Sequence, residues 1–108
     1  MYVLISTGEG GAPQVSLEEP DDCRRFHVTI RGLDEQSVRA VLGREGAGTL
    51  QDRDTAWVSA AAARRLAGDR VAADWPERFE AMIRFAATKG WLSEDGQAIR
   101  AHCEWSPS

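Results

Sequence analysis

Cysteine, histidine and lysine are scarce in this chain, and their scarcity limits the chemistry that the sequence can encode. The 108 residues include two cysteines, Cys23 and Cys103, two histidines and a single lysine. No CxxC pair occurs, and neither histidine stands at metal-ligand spacing from a cysteine, so we expect no metal site and no cofactor. Both thiols are expected to be free, with a disulfide between them left open as the alternative.

Positive charge is also in deficit. Thirteen Lys and Arg residues stand against 17 Asp and Glu, which gives a net charge of −4. Basic runs never exceed two residues, as in Arg24-Arg25 and Arg64-Arg65. Nucleic acids and anionic membranes attract basic surfaces, so neither is an expected partner.

Long apolar runs are absent as well. No stretch approaches the roughly 20 apolar residues of a membrane-spanning helix. The apolar segment 1–7 lacks the basic leader of a secretory signal. The expected localisation is therefore cytoplasmic, and 108 residues with 43% hydrophobic side chains predict a single domain over 1–108.

Alternating apolar residues predict strands at two places. The segment 25–31 reads RFHVTIR, and the segment 97–105 places Ile99 and Cys103 on one face against Arg100 and His102 on the other. Residues 2–6 predict a buried strand and residues 55–58 a short one. Asp95-Gly96 predicts a two-residue type I′ hairpin that pairs 91–94 with 97–100. The glycine-rich stretch 7–22 is predicted to be a mobile loop or an extended edge segment.

Helical periodicity marks three further segments. The first runs over about 34–43, with Asp34 as N-cap and Gly43 just past its end. The second, 60–67, ends at Gly68. The third starts at Asp74, where Glu77 completes a capping-box pattern, and carries an apolar stripe that Phe85 is expected to widen. This element order predicts an α+β fold: a small, mostly antiparallel sheet of four to five strands with about three helices packed on one face.

A polar sheet face is the first candidate site. If the strands 25–31 and 97–105 share a sheet, the polar sides of both bring together a small set of basic, imidazole and carboxylate groups that could bind an anion or transfer a proton. The set is His27, Arg31, Arg100, His102 and Glu104. A solvated sheet face with no ligand explains the same alternation. In the functional alternative, the loop 8–22 covers the site as a lid.

Tryptophan provides the second candidate surface. Four tryptophans are many for 108 residues, and Trp91 and Trp105 fall near a predicted hairpin and the end of the sequence, where aromatic side chains often anchor interfaces. In the predicted hairpin Trp91 also faces Arg100, which allows a cation–π contact. No catalytic motif occurs. We therefore expect a non-enzymatic interaction or accessory protein, a homodimer through a sheet edge or the Trp-bearing hairpin, or one that binds another protein. The alternative is a small ligand-binding protein or enzyme built on the polar face.

Overall fold

The fold is a mixed sheet and three helices, and the computed structural model describes residues 1–107. One short 3₁₀ turn follows the first strand. The elements in chain order are β1 (Tyr2–Thr7), β2 (Pro13–Glu18), β3 (His27–Arg31), α1 (Glu35–Glu45), β4 (Gly48–Asp52), β5 (Thr55–Ser59), α2 (Ala60–Ala67), α3 (Trp75–Thr88) and β6 (Ala98–Ser106).

The sheet has six strands in the order β2-β1-β3-β6-β5-β4. The three central strands β1, β3 and β6 run parallel, and antiparallel strands complete both sides. The α+β class is confirmed, whereas the predicted four to five, mostly antiparallel strands are only roughly right. Two strands add to those predicted: β4, which pairs antiparallel with β5, and β2, where Leu17 is fully buried opposite Val3. Of the two predictions for the stretch 7–22, the extended edge segment is the one that forms.

The last turn differs from the predicted hairpin. Leu92 pairs with Ile99 in the predicted register, but as an isolated bridge rather than a second strand. Gly96 has a φ of 72° and donates its N–H to the Ser93 carbonyl, while no other residue of the turn has a positive φ. The turn is therefore not the type I′ hairpin that Asp95-Gly96 predicted, because that type needs two positive φ angles.

Helix α1 holds the sheet in a curled shape. The sheet forms a half-barrel, and α1 contacts β2 at one edge and β4 at the other. Arg44 donates to the Pro13 carbonyl of β2 at 2.8 Å, and Arg39 donates to the Leu50 carbonyl of β4 at 2.5 Å. A single helix thus connects the two ends of the sheet and fills its inner side.

Two helix ends differ from the sequence predictions. Helix α1 continues through Gly43 to Glu45, and Gly46 is the residue that turns left-handed, at φ 62°, with its N–H on the carbonyls of Leu42 and Gly43. At the start of α3, Asp74 caps no backbone N–H, because its carboxylate pairs with Arg78 at 3.3 Å instead. The predicted capping box is therefore absent.

All three helices pack into one core with the apolar face of the sheet. In α3, Trp75, Phe79 and Ala86 are buried, as the predicted stripe requires. Phe85 is 54% exposed, so the expectation that it widens the buried stripe is wrong. The core draws on every strand and on each helix.

Candidate functional site

Three of the five predicted polar-face residues lie close together. Strands β3 and β6 are neighbours, and their parallel register places His27 beside His102 and Thr29 beside Glu104. The His27 Nε2 atom lies 3.8 Å from Glu104 Oε2. The ring of Tyr2, one strand further, stacks on the His27 ring at 5.1 Å.

The two arginines of the predicted set lie at opposite ends of this face. Arg31 pairs with Ser106 at the carboxyl end of β3, four residues or roughly 13 Å from His27. Arg100 lies before His102 on β6 and pairs with Trp57 of β5. No single small ligand would contact both Arg31 and Arg100, so the five residues do not form one site.

The segment predicted as a lid has another role. Residues 13–18 of this segment form β2, which pairs with β1 over six residues. The half-buried Glu18 continues the polar face, since it pairs with Tyr2. A strand that is hydrogen-bonded along its length extends the sheet and does not close over it.

Neither thiol is activated. Both cysteines are free, and burial together with Asp52 and Asp54 raises the pKa of Cys103 to about 11. Burial also raises the pKa of Cys23, more than the nearby Arg78 guanidinium lowers it. A raised pKa means that neither cysteine is a strong nucleophile near neutral pH.

One concave surface was not predicted from the sequence. It is a groove of about 1030 Å³ between α3 and the segment 19–26. Its apolar wall includes Phe26, Met82, Phe85 and Trp91, and Cys23 also lines it. The charged residues that line it are Glu19, Asp21, Asp22, Arg24, Arg25, Arg78 and Arg100.

Phe85 and Trp91 form the exposed apolar part of this groove. They are the large hydrophobic side chains that stay exposed within 1–107, Phe85 at 54% and Trp91 at 41%. Their rings meet edge to face, with centroids 6.1 Å apart. The Trp91 N–H donates to the Ala86 carbonyl at 2.9 Å, which folds the chain back onto α3 after Gly90.

This folding back changes the partner of Trp91. The predicted backbone pairing holds, because the Arg100 N–H donates to the Trp91 carbonyl at 2.7 Å. The cation–π contacts within the described residues, however, join Arg53 to Trp105, Arg64 to Phe79 and Lys89 to Phe85, and none joins Arg100 to Trp91. The predicted Trp91–Arg100 cation–π contact does not form.

Trp105, the second predicted interface residue, is held within the chain. Its Nε1–H donates to the Arg53 carbonyl at 2.5 Å, and the Arg53 guanidinium covers its ring at 4.5 Å. It packs half-buried against the core. An aromatic ring that already has a cation on its face and a hydrogen bond on its edge offers little free surface to a partner.

Most arginines are engaged within the fold. Five donate to backbone carbonyls and four pair with carboxylates, and Arg44 and Arg78 do both. By contrast, Arg24, Arg25 and Arg100 form no ion pair with the side chains that the structure describes. All three are exposed and line the groove. The groove therefore carries cationic groups that the fold itself does not neutralise.

A second, smaller pocket connects the groove to the polar face. It has a volume of about 460 Å³ and shares Phe26, Trp91 and Arg100 with the groove. His102 lines it, together with Thr55, its partner across the β5–β6 pair. The predicted residues Arg100 and His102 thus meet at this pocket, on the side of the sheet next to the exposed aromatic pair.

Comparison with protein-family models, with curated proteins and with solved structures finds no match to this chain. Within residues 1–107, no group of three or more His, Cys, Asp or Glu side chains is arranged to hold a metal ion. None of the helices that the structure describes has both the length and the apolar character needed to cross a bilayer.

Proposed function

We propose that this protein is a non-enzymatic interaction protein that acts as a cytoplasmic homodimer, joined through the surface around Phe85 and Trp91. The observation that carries the proposal is this pair of exposed aromatic side chains at the apolar groove. Large exposed apolar patches mark interaction sites, and aromatic residues are the commonest anchors of interfaces. Complete burial of one such side chain stabilises a contact by about 1.5–3 kcal/mol.

The sheet edges are less suited to pairing than the aromatic surface. Open edges attract a further strand through unpaired backbone groups. Here arginine side chains occupy edge carbonyls: Arg44 and Arg70 bind Pro13 and Leu17 of β2, and Arg39 binds β4. Of the two dimer routes that the sequence left open, these hydrogen bonds favour the Trp-bearing turn over a sheet edge.

A second copy fits the groove by its charge. The groove is lined by free arginines and by carboxylates, so the arginines of one copy can pair with the carboxylates of another. Isologous contacts of this kind build most homodimers. The two unpaired thiols are consistent with a reducing compartment, which supports the cytoplasmic proposal.

The test is the mass of the protein in solution. Sedimentation equilibrium and native mass spectrometry of the wild type should give twice 11.9 kDa. Phe85→Ser and Trp91→Ser should give the monomer mass with an unchanged circular dichroism spectrum. Arg84→Ser is the matched control, because Arg84 is exposed beside Phe85 on α3 but does not line the groove. It should remain a dimer.

A monomeric wild type at high micromolar concentration would overturn the proposal. So would a Phe85→Ser variant that dimerises as tightly as Arg84→Ser, because the contact would then lie elsewhere.

A ligand-binding protein or enzyme is the second candidate function. It is favoured by the His27–His102 register, by Glu104 at 3.8 Å, and by the pocket that His102 and Arg100 share. Native mass spectrometry of the purified protein should then show an additional mass of metabolite size. His102→Ala should remove that mass and leave the dimer intact. A bare protein mass under gentle conditions contradicts this candidate.

A further inference from the structure

We infer that the groove accepts a second copy in one orientation only, with the two α3 helices antiparallel across a two-fold axis. The arginines at one end of the groove then face the carboxylates at the other end of the partner's groove. This inference rests on the proposed homodimer and adds to it the geometry and the charge pairs of the contact.

The first support is the change of sign along the groove wall. Residues 19–25 read EPDDCRR, so the carboxylates come first and the arginines follow. The acidic part is fixed to the start of α3: Trp75 donates its Nε1–H to the Pro20 carbonyl at 2.5 Å, and Arg78 donates to the Asp21 carbonyl at 2.6 Å. The acidic end of the groove therefore lies at the amino end of α3.

The opposite end of the groove is basic. Trp91 and Arg100 lie next to the last turn of α3, where the Trp91 N–H binds the Ala86 carbonyl. Lys89 adds a further positive charge, with its Nζ 5.5 Å from the Phe85 ring centre. Helix α3 has 14 residues, so about 21 Å separates the two ends.

Groove charges of both signs remain free for a partner. Arg78 is already neutralised by Asp21 and Asp74, at 2.9 and 3.3 Å. This leaves Arg24, Arg25 and Arg100 on one side and Glu19 and Asp22 on the other, none of which forms an ion pair with the side chains that the structure describes.

A surface with oppositely charged ends is complementary to itself when the two copies run antiparallel. Under a two-fold axis through the middle of α3, each basic end, together with its Phe85–Trp91 pair, meets the partner's acidic end. A parallel arrangement places like charges together, which is strongly unfavourable at an interface. Because the whole chain carries a charge of −4, two copies repel each other at long range, and the basic end supplies the compensating attraction.

The experiment exchanges the charges of the two ends. One variant carries Arg24→Glu and Arg25→Glu, so acidic side chains offset Arg100 and Lys89 at its basic end. The other carries Glu19→Arg and Asp22→Arg, so both of its ends are basic. Each variant alone should self-associate at least about tenfold more weakly than the wild type, because both junctions lose the attraction between opposite charges. An equimolar mixture should recover the dimer as a heterodimer, detected by native mass spectrometry with one variant labelled with ¹⁵N.

The matched control changes the net charge without touching the groove. Arg31→Glu with Arg84→Glu alters the charge by the same amount as the first variant, and neither residue lines the groove. This control should dimerise within about twofold of the wild type. The wild-type dissociation constant should also rise with NaCl concentration, because the ion pairs are exposed at the rim.

The outcomes separate the two proposals. A monomeric wild type removes the proposed homodimer itself. A dimeric wild type whose charge variants still self-associate, with no preference for the heterodimer in the mixture, overturns the two-fold arrangement and leaves the homodimer standing. Circular dichroism of each variant before mixing confirms that a lost dimer is not a lost fold.

Discussion

Replacing two glycines by alanine, one at a time, tests the fold through opposite changes in stability. Gly48 begins β4 at a φ of 150°, and a Cβ built on it would lie 2.0 Å from the Trp57 carbonyl oxygen. Real Cβ atoms essentially never come within 3.0 Å of such an atom, so the backbone of β4 or β5 would have to move by about 1 Å. Gly43 lies inside α1, and a Cβ there meets nothing within 4 Å.

The magnitudes follow from these surroundings. A side chain held at an unfavourable φ costs on the order of 1–3 kcal/mol, and each ladder hydrogen bond weakened by the shift costs about 1 kcal/mol more. Gly48→Ala should therefore lower the free energy of unfolding by about 3 kcal/mol. Gly43→Ala should raise it by about 0.5–1 kcal/mol, because alanine loses less backbone entropy in a helix.

Urea unfolding followed by tryptophan fluorescence measures both changes in one experiment. The midpoint should fall for Gly48→Ala and rise for Gly43→Ala, with the denaturant dependence unchanged. If Gly43 instead ended α1 in a left-handed conformation, as the sequence predicted, alanine there would destabilise the protein. A Gly48→Ala variant within about 0.5 kcal/mol of the wild type would refute the close approach of β4 to β5.

Three further outcomes are expected. Iodoacetamide at pH 8 should modify the half-buried Cys23 slowly and spare Cys103, whose pKa is about 11. Mass spectrometry should therefore show one adduct on the folded protein and two in urea. Equal reaction rates of the two cysteines would contradict the burial of Cys103. The Asp34 carboxylate accepts the Ser37 N–H, and this hydrogen bond lowers the pKa of Asp34. The bond therefore stabilises the fold above the usual Asp pKa of 3.8, and this stabilisation is lost at lower pH. Thermal melts of Asp34→Ala and wild type should differ at pH 7 and converge near pH 2. Phe79→Ala should cost about 3–5 kcal/mol by thermal unfolding, because the ring is fully buried and stacks on its helix neighbour; a cost below 1 kcal/mol would contradict that packing.

Local patterns predicted the elements that have a strong period. The alternation around His27 and His102 gave β3 and β6 and assigned both residues to the same kind of face. The spacing of Trp75, Phe79 and Ala86 gave the buried side of α3. These predictions succeed because the buried face of a strand or an amphipathic helix produces a periodic apolar pattern within a few consecutive residues.

The pairing of distant segments was beyond local patterns. β3 and β6 lie side by side although 66 residues separate Arg31 from Ala98 in the chain, and their parallel direction depends on how α1, the β4–β5 pair and the other helices are placed. The glycines in 7–22 favoured a loop at the position of β2. Leu17 is the one buried residue of this strand, so its apolar alternation is too short to predict a strand. The pairing of such strands depends on the tertiary structure, which the pattern of one short segment does not predict.

The groove was missed for the same reason. Its walls come from a loop at 19–26, one side of α3 and the turn at Trp91. The available signal was Phe85, an aromatic residue off the centre of the predicted stripe, which we interpreted as a wider core face. The position of Phe85 off the stripe instead indicated an exposed apolar surface.

The link that α1 makes between the two sheet edges has a consequence for how the molecule opens. Edge strands are normally the first part of a sheet to exchange their amide protons, each through its own local fluctuation. Here β2 cannot leave without releasing Arg44, nor β4 without releasing Arg39, and both side chains belong to the same helix. The two edges are thereby joined into one cooperative unit, and an open sheet of six strands gains the kind of closure that a barrel obtains from a continuous ring of hydrogen bonds.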